Sequence, residues 1–505
     1  MKKYWKRIVK LILLFCVTCV LFAAVQNVLR HKCIYKLDET PETEMWEEFY
    51  SLKKNSVDVF FVGSSHVYNG INTPLFYELT GNSAFNLASS NQDYFTAYYM
   101  LREGLKTQNP KLIVLETYGC HQRPFADKDY DKNTYYKMAF DDMKFSGNKL
   151  KAVTEWKKNN SDINIMERLF PVFEYHSRWD NLNSTDYSSN EKRSVIMGYA
   201  GTFKRDMEIL YVGYTGADEE LPCTDLALEY LDKIKELCDS KGIELVLTTV
   251  PDSVHNPGKS LSIAHEAEKR ELVYIDYNDS TNLSRLGISN SGWRDKSHMN
   301  FVGAESLTRG VAADLTEMGI VESKPLNNAE FNRAVSRYER LEINYRLRHI
   351  SDFSEYLSEV CKLASTPGYL VAVGAKYEAT AELSPEDIEL LNMLVPVMDP
   401  NDYYGRSIAA IKTSDYSDSA FDLSPVSLCG ELPGGIAYEI ESVGLYACDG
   451  NPGAAYVALK INGIDYAVNE DGLNFWVYDL ENKELVDFCC FATYDSEKPV
   501  IRTDR

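Results

Sequence analysis

The chain has no long basic block outside its first ten residues, no C-x-x-C pair beyond Cys16 and Cys19, and no histidine cluster at metal-ligand spacing. The first absence argues against a nucleic-acid partner, because phosphate binding needs clustered Lys and Arg, and the formal net charge of −22 points the same way. The other two argue against a structural zinc site, and neither a metal nor another cofactor is expected. Eleven cysteines in 505 residues is ordinary usage rather than a disulfide scaffold. The neighbours Cys489 and Cys490 fall on alternate faces of an expected strand and read as core packing.

Acidic residues are also absent before Asp38, while Lys2, Lys3, Lys6, Arg7 and Lys10 precede an apolar run from Leu11 to Val25. With Ile8 and Val9 the run is just long enough to cross a bilayer, and the basic flank places the remaining chain outside the cytoplasm by the positive-inside rule. A cleaved signal peptide ending near Ala23-Ala24 is the rival. The run is long for a signal core and has no A-x-A pattern, so residues 1–30 are read as an uncleaved single-pass anchor in the cell membrane. Polar, acidic residues 31–55 read as a linker.

With 45% apolar composition the chain can bury more than one core. Strand-like runs recur at Val57–Val62, Ser83–Leu87, Leu112–Leu115, Ile243–Val250 and Val273–Asp276. The amphipathic segment Leu226–Cys238, stopped by Gly242, is the clearest helix between them. Strands alternating with helices predict an α/β domain over 56–320, built on a flavodoxin-like parallel sheet with its site at the strands' C-terminal ends. Residues 120–222 interrupt this alternation with charged and aromatic sequence, including Tyr135, Tyr136, Trp156, Phe170, Phe173, Tyr175, His176, Trp179 and Tyr187. They are expected to form a helical cap insertion whose aromatics mostly pack it onto the sheet. Residues 321–348 read as a helical connector. Residues 349–505 are expected to form an α+β, sandwich-like domain rich in strands, with a helix start at Ser384-Pro385-Glu386-Asp387 and hairpins across Asn462-Gly463 and Glu481-Asn482-Lys483.

Chemistry concentrates where the first strand stops, at Gly63-Ser64-Ser65-His66. A serine becomes a nucleophile only when a base removes its proton and donors hold the developing oxyanion. The base expected is His298, with Asp295 as the acid that holds its tautomer, in Asp295-Lys296-Ser297-His298-Met299-Asn300 after the last strand of the sheet. Ser65 could instead cap a helix, and Ser64 fill a turn. His66 is too close in sequence to act as the base and is assigned to structure or substrate, with Asn69 and His255 as further substrate-binding candidates.

The pairing of GSSH after strand one with DxxHMNxxGA after the last strand resembles the SGNH (GDSL-like) hydrolase superfamily over about residues 55–320. Within it the likeness is to membrane-anchored members acting on cell-surface polymers, the teichoic acid D-alanylation and alginate O-acetyltransferase relatives. Phe170 to Trp179 resembles their cap. The resemblance implies Ser65 as nucleophile, His298 as general base and Asp295 as its orienter, with oxyanion donors from Ser65 and Asn91. Asn91 stands where the family has glycine, and its tolerance of the left-handed conformation keeps the backbone donor. The third-block asparagine is missing from Val114-Leu115-Glu116-Thr117-Tyr118-Gly119. Loss of one such donor costs on the order of a hundredfold in rate, which suits a transferase or weak esterase better than a fast hydrolase.

The C-terminal stretch Gly472 to Asp479, with Phe491-Ala492-Thr493-Tyr494, resembles the interleukin-like EMT inducer domain, which implies a β-sandwich-like module for either carbohydrate binding or packing and oligomerisation. Two functions follow as expectations. One is an extracytoplasmic serine esterase or acyltransferase modifying O-acetyl groups on a cell-surface polysaccharide or acylated glycan, working beside a membrane-bound acyltransferase. The other is a non-catalytic glycan-binding or assembly protein of a cell-envelope modification system.

Overall fold

In the computed structural model, residues 2–29, 42–125, 132–160, 162–170, 172–182, 196–201, 208–432, 435–481, 484–494 and 500–504 are described. Cys33, Pro171, Tyr187 and the expected turn residues Asn482 and Lys483 lie outside them. Two compact units divide the chain, Met1–Tyr338 and Glu339–Arg505.

In the first unit, Lys2–Leu29 is one helix, long and apolar enough to cross a membrane. The expected linker is folded from residue 42 onward: Glu42–Ser51 is a helix whose Trp46 and Phe49 are buried. Trp46 Nε1 donates to the Ala139 carbonyl at 2.8 Å, and the Phe49 ring packs against Phe60 and Phe85. Two aromatic anchors three residues apart on one helical face override the acidic composition around them.

Five parallel strands follow: β1 (Val59–Gly63), β2 (Ala84–Ala88), β3 (Leu112–Glu116), β4 (Glu244–Thr249) and β5 (Val273–Asp276), in spatial order β2-β1-β3-β4-β5. This is the flavodoxin-like order, and each strand lies within about two residues of its expected bounds. The first three strands are buried along their whole length, as a sheet covered on both faces requires. Because β2 lies on one side of β1 and β3 on the other, the loops leaving β1 and β3 diverge and open a crevice at their C-terminal ends. Ser65 stands at that point.

The insertion supplies helices Lys132–Phe140, Gly147–Asn159 and Ile165–Leu169. Trp156 is buried edge-on against Tyr136, so the aromatics named from sequence do partly serve packing. The returning chain then runs beside β2, where Asn86 N–H donates to the Met197 carbonyl at 3.0 Å. The insertion therefore flanks the sheet as well as adding to its crevice. The helix Asp225–Asp239 matches its expected amphipathic face, and the helix Ala329–His349 carries the boundary between the units.

The second unit contains β6 (Tyr369–Tyr377), β7 (Ser407–Lys412), β8 (Ser417–Asp422), β9 (Val426–Leu432), β10 (Ile436–Gly444), β11 (Val457–Ile461), β12 (Ile464–Asp465), β13 (Gly472–Asp479), β14 (Glu484–Phe491) and β15 (Arg502–Asp504). Most of β6 lies between β13 and β7, but its last two residues pair in parallel with β10, so the sheet forks. Val371, Val373 and Phe475 join a core with helices Phe353–Leu363 and Pro385–Leu394, while Ala372, Ala409 and Trp476 face Leu428, Ile440 and Leu459 of the other branch. The unit is thus α+β with two stacked strand layers. Ser384 and Asp387 form a reciprocal capping box, and Asn462-Gly463 turns with both residues at positive φ, 49° and 81°.

Gly63 at the end of β1 admits no side chain. A Cβ there would lie 2.5 Å from Glu116 Cβ and 2.6 Å from Val67 Cγ2. The Gly63→Ala variant is expected to lose about 1–3 kcal/mol of stability in the first unit's denaturant-unfolding transition; an unchanged midpoint and slope would refute this close packing.

Candidate active site

Ser64 caps the short helix Ser65–Gly70, its side chain accepting from His66 N–H, and this puts Ser65 at the first helical position. Sequence alone leaves capping and catalysis as competing roles for the serines; the structure assigns the cap to Ser64. The Ser65 hydroxyl lies 2.7 Å from His298 Nε2. His298 Nδ1 lies 2.9 Å from both carboxylate oxygens of Asp295. The three side chains are therefore in continuous hydrogen-bonding contact across 233 positions of sequence.

The loop holding Asp295 and His298 is fixed by its own short motif. Asp295 Oδ1 accepts the backbone N–H groups of Ser297 and His298, each at 2.9 Å. Met299 is buried in the core, and Asn300 caps the helix Phe301–Glu317 while its Nδ2 donates to the Ser291 carbonyl at 2.6 Å. Gly303 passes so close that a Cβ would meet the Gly292 carbonyl oxygen at 2.2 Å. Burial acts to raise the pKa of Asp295. The His298 hydrogen bond, the Ser297 N–H and the charges of His298 and Arg294 outweigh it and hold the carboxyl well below the usual range.

Asn91 adopts the left-handed conformation at φ 49° and lines the same cleft as Ser65 and His298. Neither its N–H nor that of Ser65 has a partner among the described residues. The Tyr118 hydroxyl donates to Asn91 Oδ1 at 2.8 Å, which leaves the amide's NH₂ end for the cleft. A second donor of the asparagine-amide kind is thus present on the residue that already offers its backbone.

In sequence, Glu116 figures only as part of a block lacking asparagine. The structure makes it the floor of the site. Its carboxylate is 2% exposed and accepts Ser64 N–H at 3.1 Å, Tyr118 N–H at 3.1 Å and, through Oε1, His66 Nδ1 at 3.3 Å. The available signal was an acidic residue ending a fully apolar run, LIVLE, next to the strand that leads to Ser65. Tyr118 and Thr117 were missed for the same reason.

His66 lines the cleft, its ring centre 5.3 Å from that of His298. Burial acts to lower its pKa, but the Glu116 hydrogen bond and charge, helped by Asp252 and Asp295, raise it overall. His255 also lines the cleft, its Nε2 2.8 Å from Ser260 Oγ and its ring stacked on Tyr214. Burial pushes His255 down to about 4. Asn69 does not reach the cleft. It is buried, and its Nδ2 donates to the Ser65 carbonyl at 2.9 Å, because a side chain four residues along a helix folds back over the preceding turn. Its place is in holding the helix under Ser65, not in touching substrate.

The cleft is open and about 500 Å³, with Gln122, Tyr135, Asp252, Lys259 and Arg294 on its walls. Among the described residues no group of three or more His, Cys, Asp or Glu side chains is arranged to hold a metal ion. The geometry can move a proton from a serine hydroxyl to an imidazole and present N–H donors beside it, which is what acyl transfer requires.

His255 stays neutral in the folded state down to about pH 4, whereas the unfolded chain takes up its proton near pH 6.5. The unfolded state then binds more protons between those values, so stability falls as pH drops from about 6.5 to 4. Replacing His255 by Asn should remove at most about 3 kcal/mol of that acid-side loss. Denaturant melts of both proteins at pH 4.5 and 7.5 check this, and parallel pH dependences would refute it.

No family model matches the chain, and no curated protein does. Among solved structures, a GDSL-like lipase from Bacteroides thetaiotaomicron is 12% identical, with a TM-score of 0.27 over 55% of this chain and 98% of that one. An acylhydrolase-type protein from Bacteroides fragilis is 13% identical, with the same TM-score over 56% and 99%. At that level of likeness the two structures say nothing of this chain's chemistry, which is read from its own geometry.

Proposed function

We propose that the first unit is a serine esterase or O-acyltransferase of the SGNH type. The single observation that carries this reading is the unbroken Ser65, His298 and Asp295 chain, with 2.7 and 2.9 Å contacts. In the reaction, Ser65 Oγ attacks the carbonyl carbon of an ester while its proton passes to His298 Nε2. Asp295 holds the other ring nitrogen as the N–H tautomer and stabilises the imidazolium. The oxyanion faces the Ser65 and Asn91 N–H groups, with the Asn91 amide as third donor. As the tetrahedral intermediate collapses, His298 returns its proton to the leaving alcohol and the acyl group stays on Ser65. Water or a sugar hydroxyl, deprotonated by His298, then takes the acyl group and restores the serine.

The substrate class proposed is an O-acetylated cell-surface polysaccharide. An open cleft lined by amide, hydroxyl and charged groups suits a polar chain with a small acyl substituent better than a long acyl lipid. His66 and His255 are proposed to contact the sugar, with the His66 ring held in place by Glu116. Helix Lys2–Leu29 with its basic flank is proposed as a single-pass anchor that leaves both units outside the cytoplasm.

The Ser65→Ala variant should lose about a thousandfold or more in p-nitrophenyl acetate turnover, and a serine-directed phosphonate should label wild type at Ser65 and leave the variant unlabelled. Undiminished turnover in the variant would overturn the assignment. Glu116→Gln, with the triad intact, is expected to lose about tenfold to a hundredfold in kcat, because His66 and the Ser64 turn lose their shared anchor. A kcat equal to wild type would remove Glu116 from the site.

A further inference from the structure

One cluster of nucleophilic groups takes no part in the acyl chemistry. Cys120 lies in the turn Thr117–His121 that follows β3, and Cys223 lies two residues before the helix Asp225–Asp239. The whole insertion hangs between them. At its neck the two backbones meet: Thr224 N–H donates to the Cys120 carbonyl at 3.0 Å, and Thr224 Oγ1 donates to the Gln122 carbonyl at 2.8 Å. With the backbones joined there, each of the two thiols lies near enough to shift the other's pKa. Cys223 Sγ also lies 3.9 Å from His121 Nε2 and 3.6 Å from Ser262 Oγ, while Cys120 Sγ lies 3.1 Å from the Tyr94 hydroxyl.

The thiols are not equivalent. Cys120 is 1% exposed, and Cys223, at 9%, is the one nearer solvent. Cys238, Cys361 and Cys490 are each pushed up to about 12, chiefly by desolvation. Cys223 moves in the opposite direction, down to about 5. The hydrogen bond from Cys120 is the largest cause, and those from His121 and Ser262 add to it against the cost of burial. A paired thiol, an adjacent imidazole and a hydroxyl are the surroundings that make one cysteine of a pair the attacking sulfur.

We propose that Cys120 and Cys223 form a redox pair that closes a disulfide across the neck of the insertion, with Cys223 as the attacking sulfur. The oxidant is an external disulfide, either of low molecular weight or carried by a thiol–disulfide oxidoreductase. The Cys223 thiolate attacks one of its sulfurs, the external S–S bond breaks, and the first thiolate leaves and takes up a proton. Cys120 then attacks the Cys223 sulfur of the mixed disulfide, and its proton passes to the second external thiolate as that group leaves. Two electrons pass from the cysteine pair to the oxidant, so two protein thiols and one disulfide become one protein disulfide and two thiols. The bond closes a loop of roughly a hundred residues, and it fixes the base of the cleft wall that carries His121 and Gln122.

The test uses the full chain in detergent micelles, reduced, freed of reductant and incubated with oxidised glutathione. It is then blocked with N-ethylmaleimide, unfolded and digested without reduction. Mass spectrometry should find one dominant linked peptide pair, Cys120 with Cys223, two hydrogens lighter than the thiols and reopened by dithiothreitol. Cys120→Ser should hold a single glutathione on Cys223, and Cys223→Ser should take up none at Cys120. The first unit's melting temperature should rise by about 5 °C on oxidation in wild type and not in Cys120→Ser. Recovery of both cysteines as maleimide adducts, or glutathione spread equally over the other buried cysteines, would overturn the proposal. None of these readouts depends on Ser65 turnover, so the esterase reading and the disulfide stand or fall separately.

Discussion

The buried carboxylate of Glu116 is the constraint on which the site depends. It sits at the end of β3 and accepts N–H groups from the turn after β1 and from the turn after its own strand, so two diverging loops are tied to one acceptor. A carboxylate at 2% exposure is tolerated only when its lone pairs are filled, and here backbone donors and His66 fill them. Gly63 follows from the same contact, since the side chain of Glu116 occupies the space a Cβ would need. The position of Ser65 is therefore set twice over, by the cap from Ser64 behind it and by Glu116 beneath it.

The far side of the site is built in the opposite way, from local interactions. Asp295 binds the backbone of the residues that follow it, and Asn300 caps the next helix while gripping the loop before it. That segment holds its shape largely by itself and needs only to be brought to the correct strand end. The parallel sheet does this, because β5 and the helix after it return the chain to the crevice where β1 ends. A serine hydroxyl held by a distant carboxylate meets an imidazole held by its own neighbours.

This difference explains what sequence could reveal. The strands of the first unit lie within about two residues of their expected bounds because long apolar runs in a covered sheet have few other solutions. Asp295 and His298 were legible because their mechanism is local, and Asn91 because αL geometry selects asparagine once glycine is gone. Glu116 was not legible as an anchor, since its partners lie as far as 52 positions away and only the folded sheet brings them together. Cys120 and Cys223 escape for the same reason, because each taken singly is an ordinary cysteine. The folding of Glu42–Ser51 onto the first unit shows the converse, two buried aromatics outweighing an acidic average. Asn69 marks the limit of reading nearness in sequence as nearness to the cleft: it follows Ser65 by four residues, yet the helix turns it beneath the backbone.

Four imidazoles line the cleft, and their surroundings divide the work among them. His121 has its Nε2 occupied by the Leu221 carbonyl and Ser262 Oγ, at 3.0 and 3.1 Å. His66 has its Nδ1 engaged by Glu116, whose hydrogen bond and charge raise its pKa against the effect of burial, so that nitrogen is not free to take a proton from the serine. His255 is driven the other way, to about 4, by burial, so it remains a weak base throughout the neutral range. Only His298 touches the serine hydroxyl with one nitrogen and a carboxylate with the other. The second contact matters as much as the first, because an imidazole without an orienting acid has two tautomers and one of them offers a proton where a lone pair is needed. The hydrogen-bond geometry that a general base needs is thus found in one ring of the four, and Glu116 fixes the orientation of the His66 ring beside it.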